Sequence, residues 1–279
     1  MTPQPHNHQG KTALLVQESI HRALTLARTR TITTIEVLDE CDSTQDIARA
    51  RATPGLMVLA LSQTAGRGRL GRAWAATNGK GVAATFTLDA SQYAQEHVSL
   101  VAGLAALQTC AESLGRAKFD SDLGLRWPND VVEASGQKRK VAGVLIERVG
   151  NLLLVGIGIN VLQTTADWPD ELSDRAVSIA QLLQDPDIEP EECDPPPAIS
   201  DVATILARTL DQALMGQPKD IAANWQRLNV LRNQEAAFEH NGQRFHGIVE
   251  SIDPTADVVL RLGDGQLVRL PALSTSMVH

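Results

Sequence analysis

Aromatic residues are scarce. Four Trp, four Phe and one Tyr in 279 residues leave little for stacking nucleic-acid bases. The balance of 25 Lys+Arg against 33 Asp+Glu, a formal charge of −8, argues against coating a polyanion. Cysteine is sparse too. Cys41, Cys110 and Cys193 are odd in number and widely spaced, without His or Cys at metal-ligand spacing, which argues against a disulfide scaffold and a zinc finger. No apolar run approaches the roughly 18 residues of a membrane span. The opening MTPQPHNHQGK has no charged-then-apolar leader pattern, so the expected compartment is the cytoplasm. Acidic residues are missing from one stretch: none falls between Asp46 and Asp89, where Arg49, Arg51, Arg67, Arg69, Arg72 and Lys80 lie. A positive patch on an acidic chain predicts a small anionic ligand rather than a long polymer.

What is present suffices for a core. With 43% hydrophobic residues the chain can bury one, and its length predicts one large domain or a large one with a small companion. Residues 12–28 read as a helix after a polar tail. Strands are predicted over TITTIEVL, LMVLALS, VAATFTL, LGLRW, VAGVLIERV and NLLLVGIGINV, with a long helix over 98–114. Several strands follow one another through short turns, which favours mixed or antiparallel pairing over a parallel sheet. The acidic, Pro-rich stretch 185–200 reads as a surface excursion, and helices resume at 200–214 and 219–228. After Asn233, turn signals at Asn241-Gly242 and 263–265 predict a small β-module, too short to trust as an independent folder and so docked on the rest.

Four segments carry chemistry. In SQTAGRGRLGRAW (62–74), Gly66, Gly68 and Gly71 match G-x-G-x-x-G, but only RAWAAT precedes the helix-breaking NGKG, so a dinucleotide fold fails on context. Arg67, Arg69 and Arg72 on that backbone can wrap a phosphate and a carboxylate; a solvated basic loop is an equal alternative. In RWPNDVVE (126–133), Asn129 and Asp130 are either ligands or turn residues. KVAGVLIE (140–147) offers Lys140 and Gly143. VGIGINV (155–161) offers Gly156, Gly158 and Asn160, an amide able to pair with a purine edge; taken alone, the segment is better explained as a bulged core strand.

Together with DSTQ (42–45), GRGRLGR (66–72), RWPND (126–130), KVAGVLIE and VGIGIN in this order resemble the biotin protein ligase family, over about residues 31–233. The resemblance implies an α+β fold: a class II aminoacyl-tRNA synthetase-like mixed β-sheet with helices, then a small C-terminal SH3-like β-barrel. It divides the chain into an N-terminal extension with one helix (1–30), a catalytic domain (31–233) and the barrel (234–279). It implies biotin binding by Ser43, Thr44, Gln45, Gln63, Gly66, Arg67, Gly68, Gly143, Gly156 and Gly158. Phosphate and acyl chemistry falls to Arg69, Arg72 and Lys140, and the adenosine half to Trp74, Asn129 and Asn160. Asp130 would orient the acceptor lysine or a metal, with no dedicated metal site. The implied reaction activates biotin with ATP and Mg²⁺ and passes it to a lysine of the biotin carboxyl carrier protein of a biotin-dependent carboxylase. A lipoate-type ligase and a non-catalytic biotin- or nucleotide-binding regulator are the alternatives. Arg126 stands where the family motif usually has lysine, a change of hydrogen-bond geometry at constant charge. About 30 residues with one helix do not make a helix-turn-helix, so neither DNA nor a membrane is an expected partner; a homodimer is open.

Overall fold

The structure, a computed structural model, describes residues 7–8, 10–74, 79–115, 122–128, 130–184, 195–253 and 256–278. The predicted apolar runs become strands β2 (Thr34–Cys41), β3 (Leu56–Gln63), β4 (Gly81–Asp89), β5 (Leu123–Arg126), β7 (Lys140–Val149) and β8 (Leu152–Asn160). Two short strands unmarked in the sequence, β1 (Asn7–His8) and β6 (Asp130–Glu133), complete an eight-stranded sheet in the order β1-β2-β3-β4-β8-β7-β6-β5. Only β2 and β3 pair in parallel, so the sheet is mixed, as the short turns predict.

Alternation along β8 explains the fold's two faces. Leu153, Val155, Ile157 and Ile159 are buried in the core, while Gly156, Gly158 and Asn160 point the other way, because successive strand side chains face opposite sides. Helices α3 (Gln95–Ser113) and α5 (Ile199–Leu214) pack together beneath the core face and share a Thr109–Thr209 hydroxyl bond of 2.9 Å. Helix α1 (Lys11–Ala27) buries only Ala13, Ile20 and Leu24 and leaves Leu14, Leu15 and Leu26 exposed. Short α4 (Ile179–Leu183) begins at Ser178, whose hydroxyl accepts from Gln181 N, a side-chain cap. The Pro-rich stretch lies mostly outside the described residues, and α5 begins at Ile199.

Two helices go unpredicted, the five-residue α4 and, at the cleft, α2 (Thr44–Arg51), which is only eight residues long, poor in apolar side chains, and preceded by the buried Ser43. Its N-terminal turn sits against the sheet at the site described below.

After α6 (Pro218–Leu228), strands β9 (Glu235–His240), β10 (Gln243–Ile252), β11 (Asp257–Arg261), β12 (Leu267–Pro271) and β13 (Thr275–Val278) form a second, wholly antiparallel sheet in the order β12-β11-β10-β9-β13. Its edges are β12 and β13, and no β12–β13 ladder closes it among the described residues. Asn241 and Gly242, at φ of 50° and 76°, make the predicted β9–β10 hairpin turn. This sheet docks on the larger one through Phe238 against Trp127, with ring centroids 5.6 Å apart, and the connection leading into it is tied to β5 by Val230 N, which donates to Leu125 O at 2.9 Å.

Candidate active site

On the face of the large sheet away from α3 lies a cleft of about 890 Å³. Ser43, Thr44, Gln45, Gln63, Arg67, Gly68, Arg69, Arg72, Trp74, Asp130, Lys140, Gly143, Gly156, Gly158 and Asn160 all line it, so segments as much as 117 positions apart are brought together. Gly66 is buried behind the wall, where a Cβ would lie 2.9 Å from Trp74 O and 3.0 Å from Gln63 Nε2. Asn129 falls outside the described residues.

One end is walled by small polar groups. Gln63 Oε1 accepts from Thr44 N at 2.8 Å and from Thr44 Oγ1 at 3.1 Å, and Thr85 donates its hydroxyl proton to Thr44 Oγ1 at 2.8 Å. Gln45 is 3% exposed; its amide donates to Leu145 O at 3.4 Å, and its buried Oε1 has no partner. A buried acceptor left unpaired is costly, so this end is built to receive a ligand N–H. Gly156 makes room for that side chain, since a Cβ there would come within 3.2 Å of Gln45 Nε2.

Two residues further along the same strand pair, roughly 7 Å away by strand rise, the chemistry changes. Gly143 and Gly158 are cross-strand partners, and the Trp74 indole rests on them: a Cβ at Gly158 would lie 2.4 Å from Trp74 Cζ2, and one at Gly143 3.2 Å from Cζ3 and 2.6 Å from Lys140 Nζ. The groups approaching these glycines are thus the chain's own indole and amine. Lys140 Nζ lies 5.2 Å from the indole centroid, a cation–π arrangement.

Lys140 is paired with Asp130 Oδ1 at 2.6 Å, and Arg126 donates to Asp130 Oδ2 at 3.1 Å. Burial pushes the Asp130 carboxyl up, but Lys140 and Arg126 outweigh it and hold the group below the ordinary carboxylate value. Arg69 is desolvated, which lowers its pKa against the raising influence of Asp130. Seven basic side chains, including Lys138 and Arg175, line the cleft against three acidic ones, Asp130, Asp174 and Glu239. Arg69, Arg72 and Arg175 have no salt-bridge partner among the described residues, so this end is set for a multiply charged anion.

Asn160 lines the cleft with half of its amide already engaged. Its Nδ2 donates to Lys140 O at 3.1 Å and Val177 O at 3.2 Å, leaving Oδ1 as the atom it can present. It ties β8 to β7 beside Lys140. Thr85, Trp168, Arg175 and, from the second sheet, Glu239, Ser276, Met277 and Val278 also line the cleft. Sequence reasoning missed them: Thr85 sits in an ordinary strand pattern, and the others reach the site only through tertiary docking. Cys41 and Cys110 are buried, and burial pushes both thiols up to about 12, so neither is an available nucleophile. No helix among the described residues is long and apolar enough to cross a membrane.

A cleft that is amide-lined at one end and cationic at the other suits a protein that binds and aligns a small molecule beside an anion. The chain belongs to the Biotin/lipoate A/B protein ligase family, whose profile matches residues 37–163. It is 30% identical over 247 residues to the biotin--[acetyl-CoA-carboxylase] ligase of Mycobacterium tuberculosis, covering 84% of this chain and 85% of that protein. It is also 37% identical over 155 residues to the bifunctional ligase/repressor BirA of Bacillus subtilis, a match spanning 51% of this chain and 45%, less than half, of that protein's length. Among solved structures, the biotin protein ligase from Aquifex aeolicus in complex with biotin and ATP superposes with a TM-score of 0.72 at 24% identity, covering 89% of this chain and all of that one. This likeness shows the shared fold.

Proposed function

We propose that the chain is an ATP-dependent biotin ligase that forms biotinyl-5′-adenylate and transfers the biotinyl group to a lysine of a biotin carboxyl carrier protein. One observation carries the reading: a single cleft holds both the unpartnered acceptor Gln45 Oε1, over Gly156, and the Lys140–Asp130–Arg126 cluster, beside the Gly143–Gly158 pair two residues further along the strands. Biotin offers N–H groups at one end and a carboxylate at the other, and this polarity matches the cleft. The names of the M. tuberculosis and A. aeolicus relatives support it.

In the first half-reaction a biotin carboxylate oxygen attacks the α-phosphorus of ATP and pyrophosphate leaves. Ser43, Thr44, Gln45 and Gln63 hold the ring end, and the backbone of Gly66–Gly68 closes on it. Lys140, Arg69 and Arg72 neutralise charge that grows on the phosphoryl oxygens, while Trp74 offers a face to the adenosine half. In the second, the carrier lysine attacks the acyl carbon and AMP leaves; Asp130 orients that amine. Among the described residues no group of three or more His, Cys, Asp or Glu is placed to hold a metal, and Mg²⁺ with a nucleotide is held largely by phosphate oxygens and water. Mg²⁺ therefore fits as part of the MgATP substrate. Residues 31–233 serve as the catalytic unit and 234–279 as its cover.

The test is pyrophosphate release from ATP with biotin, lipoate and octanoate in parallel, then labelling of a carrier domain. Biotin alone should drive release. Equal release with lipoate would move the assignment to the lipoate-ligase reading.

A further inference from the structure

The glycine segment is folded on itself. Arg67 and Ala73 form an antiparallel bridge, Gly68 N donates to Arg72 O at 2.7 Å, and Trp74 N donates to Gly66 O at 2.9 Å, with a helical turn over Arg69–Gly71 at the tip. These bonds shape a hairpin but do not fix where it stands over the sheet. Its base is Gly66-Arg67-Gly68, and Arg67 carries the only side chain there.

That side chain is committed away from any ligand's phosphate. Arg67 Nη1 donates to Asp46 Oδ2 at 2.9 Å and Nη2 to Asp46 Oδ1 at 2.8 Å, and Nη2 lies 3.6 Å from Glu147 Oε2. Arg49 closes the figure, donating to Asp46 Oδ1 at 2.8 Å and to Glu147 Oε2 at 2.9 Å. Asp46 sits in the first turn of α2, Glu147 on β7 and Arg67 on the hairpin, so two cations and two anions tie three elements together. Isolated surface ion pairs contribute little, but a bidentate fork inside a network is the exception.

We infer that Arg67 is a positioning residue, and that Asp46, Arg49 and Glu147 form with it an ionic latch that sets the hairpin over the cleft. The path is short. Holding Arg67 holds Gly66, Gly66 O holds Trp74 N, and Trp74 lies on Gly158 beside Lys140. The latch therefore governs how the arginine tip and the indole meet the ligand, although none of Asp46, Arg49 and Glu147 lines the cleft. The kinetic half of its test rests on the ligase reading; the proteolytic half does not.

The experiment compares Asp46→Asn, Asp46→Glu, Arg67→Gln and the Asp46→Asn/Arg67→Gln double variant in the full chain. Trypsin cleavage after Arg69 and Arg72 is followed by mass spectrometry, alongside KM for biotin and ATP in pyrophosphate release. Asp46→Asn and Arg67→Gln should each be nicked at the tip about tenfold faster than the parent, with KM raised more than kcat is lowered. The double variant should be no worse than Arg67→Gln, because coupled residues are not additive. Asp46→Glu should recover much of the loss. Should Asp46→Asn fail to fold, Glu147→Gln reads the same cleavage from the other side of the latch. Parental nicking and KM in Asp46→Asn, or additive effects in the double variant, would overturn the latch. A chain that releases no pyrophosphate would sink the ligase reading and leave the nicking comparison intact.

Discussion

Lys140 does two things that are separable by mutation. Its ammonium pairs with Asp130 at 2.6 Å, and it lies against the Trp74 face, so it reaches both the carboxylate and the cleft where the phosphates would sit. Lys140→Ala should lower adenylate formation by a factor of about 100 or more, the usual effect of removing a preorganised donor from developing charge. Pyrophosphate release at saturating biotin measures it, and unchanged turnover would remove Lys140 from the reaction. Asp130 gives a pH prediction. Its folded pKa lies below its unfolded value, so its contribution to stability is full above the unfolded value of about 3.9 and is lost as pH falls through the lower folded value. Urea midpoints measured between pH 2 and 6 should fall toward acid in the parent and fall less in Asp130→Asn. Equal slopes would show that the pairing with Lys140 and Arg126 does not favour the charged form.

At the scale of elements, β7 and β8 carry the site, and much of them was legible. The strand VGIGIN alternates core and cleft residues, and its glycines were visible as anomalies in an apolar run, although not what fills them. Trp74 is 84 positions from Gly158, and no local pattern couples the two. Gly158→Ala would put a methyl group 2.4 Å from the indole and force Trp74 off the strand pair. We expect the KM for ATP to rise at least about fivefold, equivalent to about 1 kcal/mol, while the midpoint of unfolding shifts little. An unchanged KM would mean that the seat of Trp74 has no bearing on nucleotide binding. Helix α2 was illegible for a different reason: TQDIARAR is short and mostly polar, and its stability comes from burying Ile47 and Ala48 under neighbours supplied by β3 and β8. The ion pairs from Asp46 to Arg67 and from Arg49 to Glu147 span 21 and 98 positions, beyond any sequence period.

For the whole molecule, the two sheets share one hydrophobic core: the cluster that holds Leu104 and Trp127 also holds Phe238, Val249 and Leu260. The turn signals foretold the second sheet's strands, but its placement beside the cleft depends on Trp127 meeting Phe238, both fully buried. Phe238→Ala should cost about 3–5 kcal/mol and leave a single cooperative transition at lower denaturant, read by far-UV circular dichroism. Two separated transitions would show instead that residues 234–279 unfold on their own.

The seat of Trp74 also has an optical consequence. Trp127, Trp168 and Trp225 are 1%, 8% and 2% exposed, whereas Trp74 is half-buried at the cleft beside a lysine ammonium. The red edge of the intrinsic emission should therefore come chiefly from Trp74, which rests on Gly143 and Gly158 at the floor of the cleft. The molecule should thus carry its own fluorescent reporter, so that filling the cleft shifts the emission without a label.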